Sequence, residues 1–169
     1  MSPLLELSTA IRTRRSDMGL TQTSLARLSG LSRATVNQVE KGSVKDLGLA
    51  RVSRLLGVLG LSVQVSAPRP KPTVQERKYT PALVVAARTA SVSYRTPMAA
   101  PQLRDALATG EVEASFLPHV RTLLEEGSVT LLAAVVEELH TELGLERAQV
   151  WQRMRELARR LQSTRELWS

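Results

Sequence analysis

Apolar side chains recur every three or four residues along most of the chain, and glycine or proline interrupts this pattern at short intervals. The spacing is typical of amphipathic helices, so the sequence predicts an all-α protein. The first 66 residues predict five helices. Three cover residues 4–18, 22–29 and 33–41, and Gly48 and Gly57 are expected to divide the segment after Asp46 into two short ones.

The exception to the helical spacing is a short alternation of apolar and polar residues at the end of this region. Leu61, Val63 and Val65 alternate with Ser62 and Gln64, which predicts a half-buried strand. A single strand cannot satisfy its own backbone, and no other strand is evident nearby. The same strand of a second copy is therefore the expected partner, which makes this segment a candidate dimer contact.

A proline-rich stretch separates the first region from the rest of the chain. Three prolines lie between positions 68 and 72, and they favour an extended spacer over helix or sheet. We therefore expect a first domain over residues 1–66, a basic linker over 67–78, and a second domain over 79–169. The linker is interpreted as a solvated tether, with a basic arm that contacts phosphates as the alternative.

The second domain is expected to be a small helical bundle. Apolar spacing and helix-ending glycines predict five helices there, at about 81–88, 101–108, 116–126, 128–143 and 146–162. We interpret the apolar stripes of these helices as an internal core, with a partner surface or a second dimer interface as the alternative.

Positive charge is concentrated in the first part of the chain. Residues 1–66 contain nine Lys and Arg and four Asp and Glu. Residues 67–78 contain four positive residues and one negative residue, and residues 79–169 contain ten positive and eleven negative ones. The net charge of +7 hints at a nucleic acid partner. Mutual neutralisation is expected between the arginines and glutamates of the second domain, with a second nucleic-acid contact as the alternative. The residues concerned are Arg153, Arg155, Arg159, Arg160 and Arg165, and Glu125, Glu126, Glu137, Glu138 and Glu142.

Several function classes find no support in the sequence. The chain has no cysteine, which excludes disulfides and thiolate sites, and no apolar run long enough for a membrane span. The start of the chain lacks a secretory signal pattern, so a cytoplasmic protein is expected. His119 and His140 are not in metal-binding spacing and are expected on helix surfaces or at caps. No catalytic motif is present, so we expect no enzyme, no metal and no cofactor.

The second and third helices are short and joined by a tight turn at Gly30, which is the geometry of a helix-turn-helix. Thr21 and Ser32 can cap them. The motif consists of Thr21-Gln22, Ala26, Gly30-Leu31-Ser32, Val36, Glu40 and Gly42. With these residues the region 4–66 closely resembles the Cro/C1-type (XRE) helix-turn-helix family. That resemblance implies a lambda-repressor-like domain that binds double-stranded DNA.

The third helix supplies the candidate DNA contacts. Val36 and Val39 mark its buried face, so four other positions are expected to meet base edges in the major groove: Arg33, Ala34, Asn37 and Gln38. The resemblance implies base contacts for most of these positions and a phosphate contact for Gln22. We assign Thr21, Ser32 and Lys41 to phosphates as well.

The resemblance also implies an ion pair between Arg15 of the first helix and Glu40 at the end of the third. Its expected role is to orient the two helices rather than to add net stability. Arg12 and Arg14, by contrast, are expected on the surface.

The expected function is a dimeric repressor of transcription on a palindromic operator. Residues 55–65 are similar to HipB-type antitoxins, which pair their strands across a dimer, although those chains usually stop soon after the strand. This similarity suggests the autoregulatory antitoxin of a toxin–antitoxin pair, with a toxin bound by residues 79–169. The alternative is a phage- or host-type repressor whose second domain oligomerises or senses an effector.

Overall fold

A computed structural model of the protein describes residues 3–64 and 80–168, and every regular element in these two ranges is a helix. The prediction of an all-helical chain is therefore confirmed. The α-helices of the described ranges are α1 (Pro3–Asp17), α2 (Gln22–Ser29), α3 (Arg33–Glu40), α4 (Leu49–Val58), α5 (Ala82–Ser91), α6 (Ala100–Thr109), α7 (Leu117–Glu126), α8 (Val129–Leu143) and α9 (Arg147–Arg160). Short 3-10 helices cover Ala114–Phe116 and Glu166–Trp168.

The first four helices enclose an aliphatic core. Helix α2 packs against α3 and α4, and α1 packs against α3. The side chains at the centre of this core are Ile11, Leu25, Val36, Leu55 and Leu59, all fully buried. The expectation of two short helices after Asp46 is wrong, because α4 is one helix. Gly57 is exposed within it, in open space, so it costs helix propensity without breaking the helix.

Local capping explains where α2 and α3 begin. The Thr21 hydroxyl accepts a hydrogen bond from the Ser24 amide at 3.0 Å, and the Ser32 hydroxyl accepts one from the Thr35 amide at 3.0 Å. Gly30 ends α2 in the left-handed region, with φ of 68°. Both predicted caps and the predicted turn are confirmed, and together they fix the angle between the two helices.

The predicted strand is not present in the single chain. Among the described residues, Leu61 and Val63 pair with no strand, so the predicted strand is not seen, and Val65 lies outside the described residues. The Leu61 amide donates to the Leu56 carbonyl at 2.9 Å, which closes the end of α4 and removes this donor from any ladder. The rest of the segment has no neighbouring strand within residues 3–64 and 80–168.

The last five helices form a bundle around a second aliphatic core. Helix α5 contacts α6, α7 and α8, and α9 contacts α6, α7 and α8. The buried Glu138 on α8 accepts hydrogen bonds from the Ala82 amide and, at 3.3 Å, from the Leu83 amide. These are orphan amides at the start of α5, so the carboxylate acts as its cap. The centre of the core consists of Leu103, Leu107, Leu123, Leu132, Leu139 and Met154.

The two helical groups pack against each other. Helix α1 contacts α9, and the end of α4 contacts α8. Gly60 sits at the second contact, where a Cβ would lie 2.9 Å from the Ala133 Cβ and 3.0 Å from the Val129 carbonyl oxygen. The predicted linker, 67–78, lies outside the described residues. None of the described helices is long and apolar enough to cross a membrane.

The contact at Gly60 can be tested by adding a single methyl group. Gly60→Ala is expected to destabilise the protein by about 2–4 kcal/mol. The side chain adds a steric clash of about 1–2 kcal/mol, at the lower end of the overpacking range, to the cost of a left-handed backbone, about 1–2 kcal/mol. The free energy of unfolding in urea, followed by circular dichroism, measures this loss.

Gly144→Ala is the matched control, since Gly144 has nearly the same φ (67° against 66°) and nothing within 4 Å of a new Cβ. It should show the backbone cost alone. Equal losses for the two variants would contradict the packing of α4 against α8.

Candidate nucleic-acid interface

Helix α3 lies on the surface with one face in the core and the other in solvent. Val36 and Val39 are buried against α1 and α2, which anchors the helix. On the opposite face Arg33, Ala34 and Gln38 are exposed, and Asn37 is partly exposed. The face that the sequence assigns to DNA is therefore uncovered along the helix.

An open groove connects this face with the start of α2. It has a volume of about 430 Å³ and is lined by Gln22, Arg33, Ala34 and Asn37. The structure thus brings a predicted phosphate contact beside three predicted base contacts. Gln38 is exposed farther along α3 and is not part of the groove lining.

The other three predicted phosphate contacts are also at helix ends. Thr21 and Ser32 are exposed N-cap residues, where free backbone amides favour an anion. Their hydroxyls lie 2.9 Å and 2.8 Å from those of Ser24 and Thr35, and either partner can be the donor. Lys41 is exposed at the other end of α3.

Behind the groove, a three-residue cluster holds α1, α2 and α3 together. Arg15 binds Glu40 through both carboxylate oxygens, with Nε 2.5 Å from Oε1 and Nη2 3.2 Å from Oε2. The remaining arm of Arg15 donates to the Leu20 carbonyl at 2.7 Å. Gln22 Nε2 donates to Glu40 Oε2 at 2.9 Å, a contact that the sequence did not suggest. Glu40 therefore orients the Gln22 amide at the edge of the groove.

The protonation state of Glu40 reflects this cluster. Burial alone would raise the pKa of Glu40, whose side chain is 4% exposed. Hydrogen bonds from Arg15 and Gln22, together with the charges of Arg15 and Arg12, outweigh burial and lower the pKa below its ordinary value. The carboxylate is therefore held in its charged form, which the bidentate arginine requires.

The expectation that Arg14 lies on the surface is wrong. Its side chain is 14% exposed, and Nη2 lies 2.9 Å from Glu137 Oε1 on α8. Arg147 on α9 binds the other oxygen of Glu137 at 2.8 Å. The hydrogen bond from Arg147 lowers the pKa of Glu137, although burial would raise it, and the charge of Arg14 lowers it further. The sequence could not indicate this partner, which lies 123 residues away.

The two histidines lie apart from this surface. His140 is at the end of α8, where Nδ1 is 2.7 Å from the Leu145 carbonyl, so it has the expected cap position. His119 is buried, contrary to expectation, between Tyr94 and Phe116, and its Nε2 is 2.8 Å from the Thr96 carbonyl. Among the described residues, no group of three potential ligands could hold a metal ion.

Two short helices joined by a left-handed glycine, with the outer face of the second helix exposed beside an open groove, define a helix-turn-helix domain for double-stranded DNA. The comparison with family models gives the same result: residues 11–65 match the helix-turn-helix family, and this segment is a Cro/C1-type domain. Neither the curated proteins nor the solved structures contained a match. The family match supports a DNA-binding regulator of transcription and covers about a third of the chain.

The Arg15–Glu40 pair generates a prediction about stability. Arg15→Met should cost about 3 kcal/mol, because it leaves the buried Glu40 carboxylate without its charged partner. The free energy of unfolding in urea at neutral pH measures this loss. Arg12→Met, on the same helix, is the control; Arg12 is exposed, so little change is expected.

A second variant shows whether the cost arises from the stranded charge. Glu40→Leu in the Arg15→Met background should recover part of the stability, since no charge then remains buried. If Arg15→Met is as stable as Arg12→Met, the pair does not hold the helices together.

Proposed function

We propose that the protein is a sequence-specific repressor of transcription, which binds a palindromic operator as a homodimer and occludes a promoter. The observation that carries this proposal is the uncovered outer face of α3. A recognition helix must present its polar side chains to the major groove, and here three of the four candidate base contacts are exposed.

The residue types on this face suit the major groove. A guanidinium such as that of Arg33 can donate two hydrogen bonds to guanine, and the amides of Asn37 and Gln38 can pair with adenine. Ala34 is small enough to let the helix approach a thymine methyl group. Residues 1–66 also carry an excess of five positive charges, which favours approach to the phosphate backbone.

Backbone contacts would hold this helix in register. Gln22 is oriented by Glu40, and the capped starts of α2 and α3 at Thr21 and Ser32 supply amides for phosphate oxygens. Lys41 adds a positive charge at the far end of α3. Such contacts position the domain without selecting a sequence.

The dimer is proposed because one such domain makes few contacts, and two recognition helices must lie about 34 Å apart to read a palindrome. The segment after α4 is suited to the seam: Val63 is 53% exposed, and residues 62–64 have no strand partner among the residues that the structure describes. Pairing with a second copy would satisfy those backbone groups, as in HipB-type antitoxins.

The role of the second bundle decides between an antitoxin and a repressor without a toxin. The apolar stripes of α8 and α9 are used within the bundle, where Leu132, Leu139 and Met154 are fully buried. These stripes are therefore available neither to a toxin nor to a second copy. The antitoxin proposal requires a toxin on another face of residues 79–169, and co-purification from the native cell tests for it.

The base contacts can be tested by removing two of them. Arg33→Ala with Gln38→Ala should abolish the preference for a duplex that the wild-type chain selects from a random library. Each bidentate contact is worth about 1–3 kcal/mol of discrimination. Fluorescence anisotropy with the selected duplex and an unrelated one, at several salt concentrations, measures the preference.

Lys41→Ala is the control, since it removes charge from α3 without removing a base contact. It should weaken binding to both duplexes alike, and salt-sensitive general binding should survive in both variants. Equal weakening on both duplexes by the double variant would contradict the base-contact role.

The dimer seam can be tested on the full chain. Val63→Asp should shift the protein from dimer to monomer in sedimentation equilibrium, because a like charge then faces itself across the two-fold axis. Val92→Asp places the same charge on a more exposed valine, 82% against 53%, and should leave the dimer intact. A dimer in both variants would place the seam elsewhere.

A further inference from the structure

A cleft between α1 and α9 is lined by two arginines. It has a volume of about 380 Å³ and lies where the end of α1 meets the outer face of α9. Arg155 and Arg159 lie one turn apart on that face. Within residues 3–64 and 80–168, neither arginine has a carboxylate oxygen within 4.0 Å.

The expected neutralisation by glutamates of α7 and α8 does not occur at this site. Glu125 accepts hydrogen bonds from Ser163 and Thr164, Glu137 binds Arg14 and Arg147, and Glu138 caps α5. Three of the five glutamates that the sequence offered as partners are therefore engaged elsewhere.

Two carboxylates, Asp17 and Glu156, also line the cleft, and neither lies within 4.0 Å of a guanidinium nitrogen of these two arginines. Glu156 accepts a hydrogen bond from Gln152 at 2.8 Å. Burial raises the pKa of Asp17 above its ordinary value, against the lowering effect of the charges of Arg14 and Arg147. Burial and the positive charge of Arg159 lower the pKa of Arg155. The cleft thus holds a partly buried cation that would gain from an anion.

The position of the cleft indicates which anion. Arg155 Nη2 donates to the Met18 carbonyl, and its Nη1 would lie 2.5 Å from a Cβ on Gly19. Gly19 is two residues from Thr21, so their Cα atoms are at most about 7 Å apart. Arg155 is thus close to the start of α2, where the proposed phosphate contacts at Thr21 and Gln22 lie.

We propose that Arg155 and Arg159 bind a phosphate of the DNA backbone beside the operator half-site, so that the second bundle is part of the DNA interface. This inference rests on the proposed function. It extends the backbone contacts at the start of α2 onto α9, and it needs the packing of α1 against α9. Guanidinium groups bind phosphate oxygens through paired hydrogen bonds, so the two arginines of the cleft have the chemistry that a backbone phosphate requires.

The test uses the full chain and the variant Arg159→Gln. Arg159 is exposed and its guanidinium makes no hydrogen bond within the described ranges, so the variant should fold. Binding to the selected duplex and to an unrelated duplex should weaken equally, by about threefold to tenfold. The salt dependence should lose about one unit of slope in log K against log salt.

Arg121→Gln is the matched control. It removes one exposed arginine from α7, outside the cleft, and should leave affinity and slope nearly unchanged. Arg159→Lys keeps the charge and should recover most of the lost affinity. The inference is overturned if Arg159→Gln and Arg121→Gln bind DNA equally well.

Two further measurements separate the sources of failure. Calorimetry with inorganic phosphate, without DNA, detects a site for a free anion; binding there that Arg159→Gln abolishes, with unchanged DNA affinity, overturns the inference in favour of a small ligand. A wild-type chain that binds no duplex at all refutes the proposed function and the inference with it. If the wild-type chain binds DNA and Arg159→Gln binds it as tightly as Arg121→Gln, the inference is refuted and the proposed function is not.

Discussion

The ion pair between Arg15 and Glu40 is the constraint on which the DNA-facing surface depends. A helix of eight residues such as α3 has too few internal hydrogen bonds to hold its own position, and its buried anchor is only two valines. The bidentate arginine fixes the end of α3 to α1, and the same carboxylate orients Gln22 at the start of α2. One buried charge therefore sets the relative positions of the two helices that would meet DNA. A buried pair of this kind is better understood as a device for geometry than as a source of stability.

Helix α1 passes this constraint to the second bundle. Arg14 and Arg15 are consecutive, so their side chains leave the helix about 100° apart. One reaches Glu137 on α8, and the other reaches Glu40 on α3. The orientation of α3 relative to the second bundle is thus set through one helix and two ion pairs, with the contact of Gly60 on α8 as a second connection. A displacement of α8 or α9 would act on α1, and through it on α3, the helix that carries the proposed base contacts.

The parts of the structure that were predictable depend on residues close in sequence. The helix boundaries of the motif are set by two N-cap residues, Thr21 and Ser32, and by the C-cap residue Gly30. Each forms its capping hydrogen bonds with residues at most four positions away, so these boundaries could be predicted from local chemistry. The predicted strand at 61–65 is not seen for the opposite reason. Apolar and polar residues do alternate there, but a strand exists only with a partner, and the Leu61 amide is used to close α4. The predictions that Arg14 and His119 lie on the surface are wrong for a similar reason, since their burial depends on residues far along the chain.

In the proposed complex, sequence specificity depends on residues close in sequence, whereas affinity can also depend on residues that are distant in sequence. Base contacts require side chains at fixed spacing on one helix, and such a pattern is visible in sequence as Arg33, Ala34, Asn37 and Gln38. Backbone contacts require only positive charge or free amides at the right place in space, and any element of the fold can supply them. Arg155 and Arg159 are separated from the motif by more than a hundred residues, and their charge looks unremarkable beside the nearby glutamates. Only the tertiary structure shows that Glu125, Glu137 and Glu138 are engaged elsewhere and that α9 lies against the end of α1. A second half that packs in this way can strengthen DNA binding without altering the sequence that is recognised.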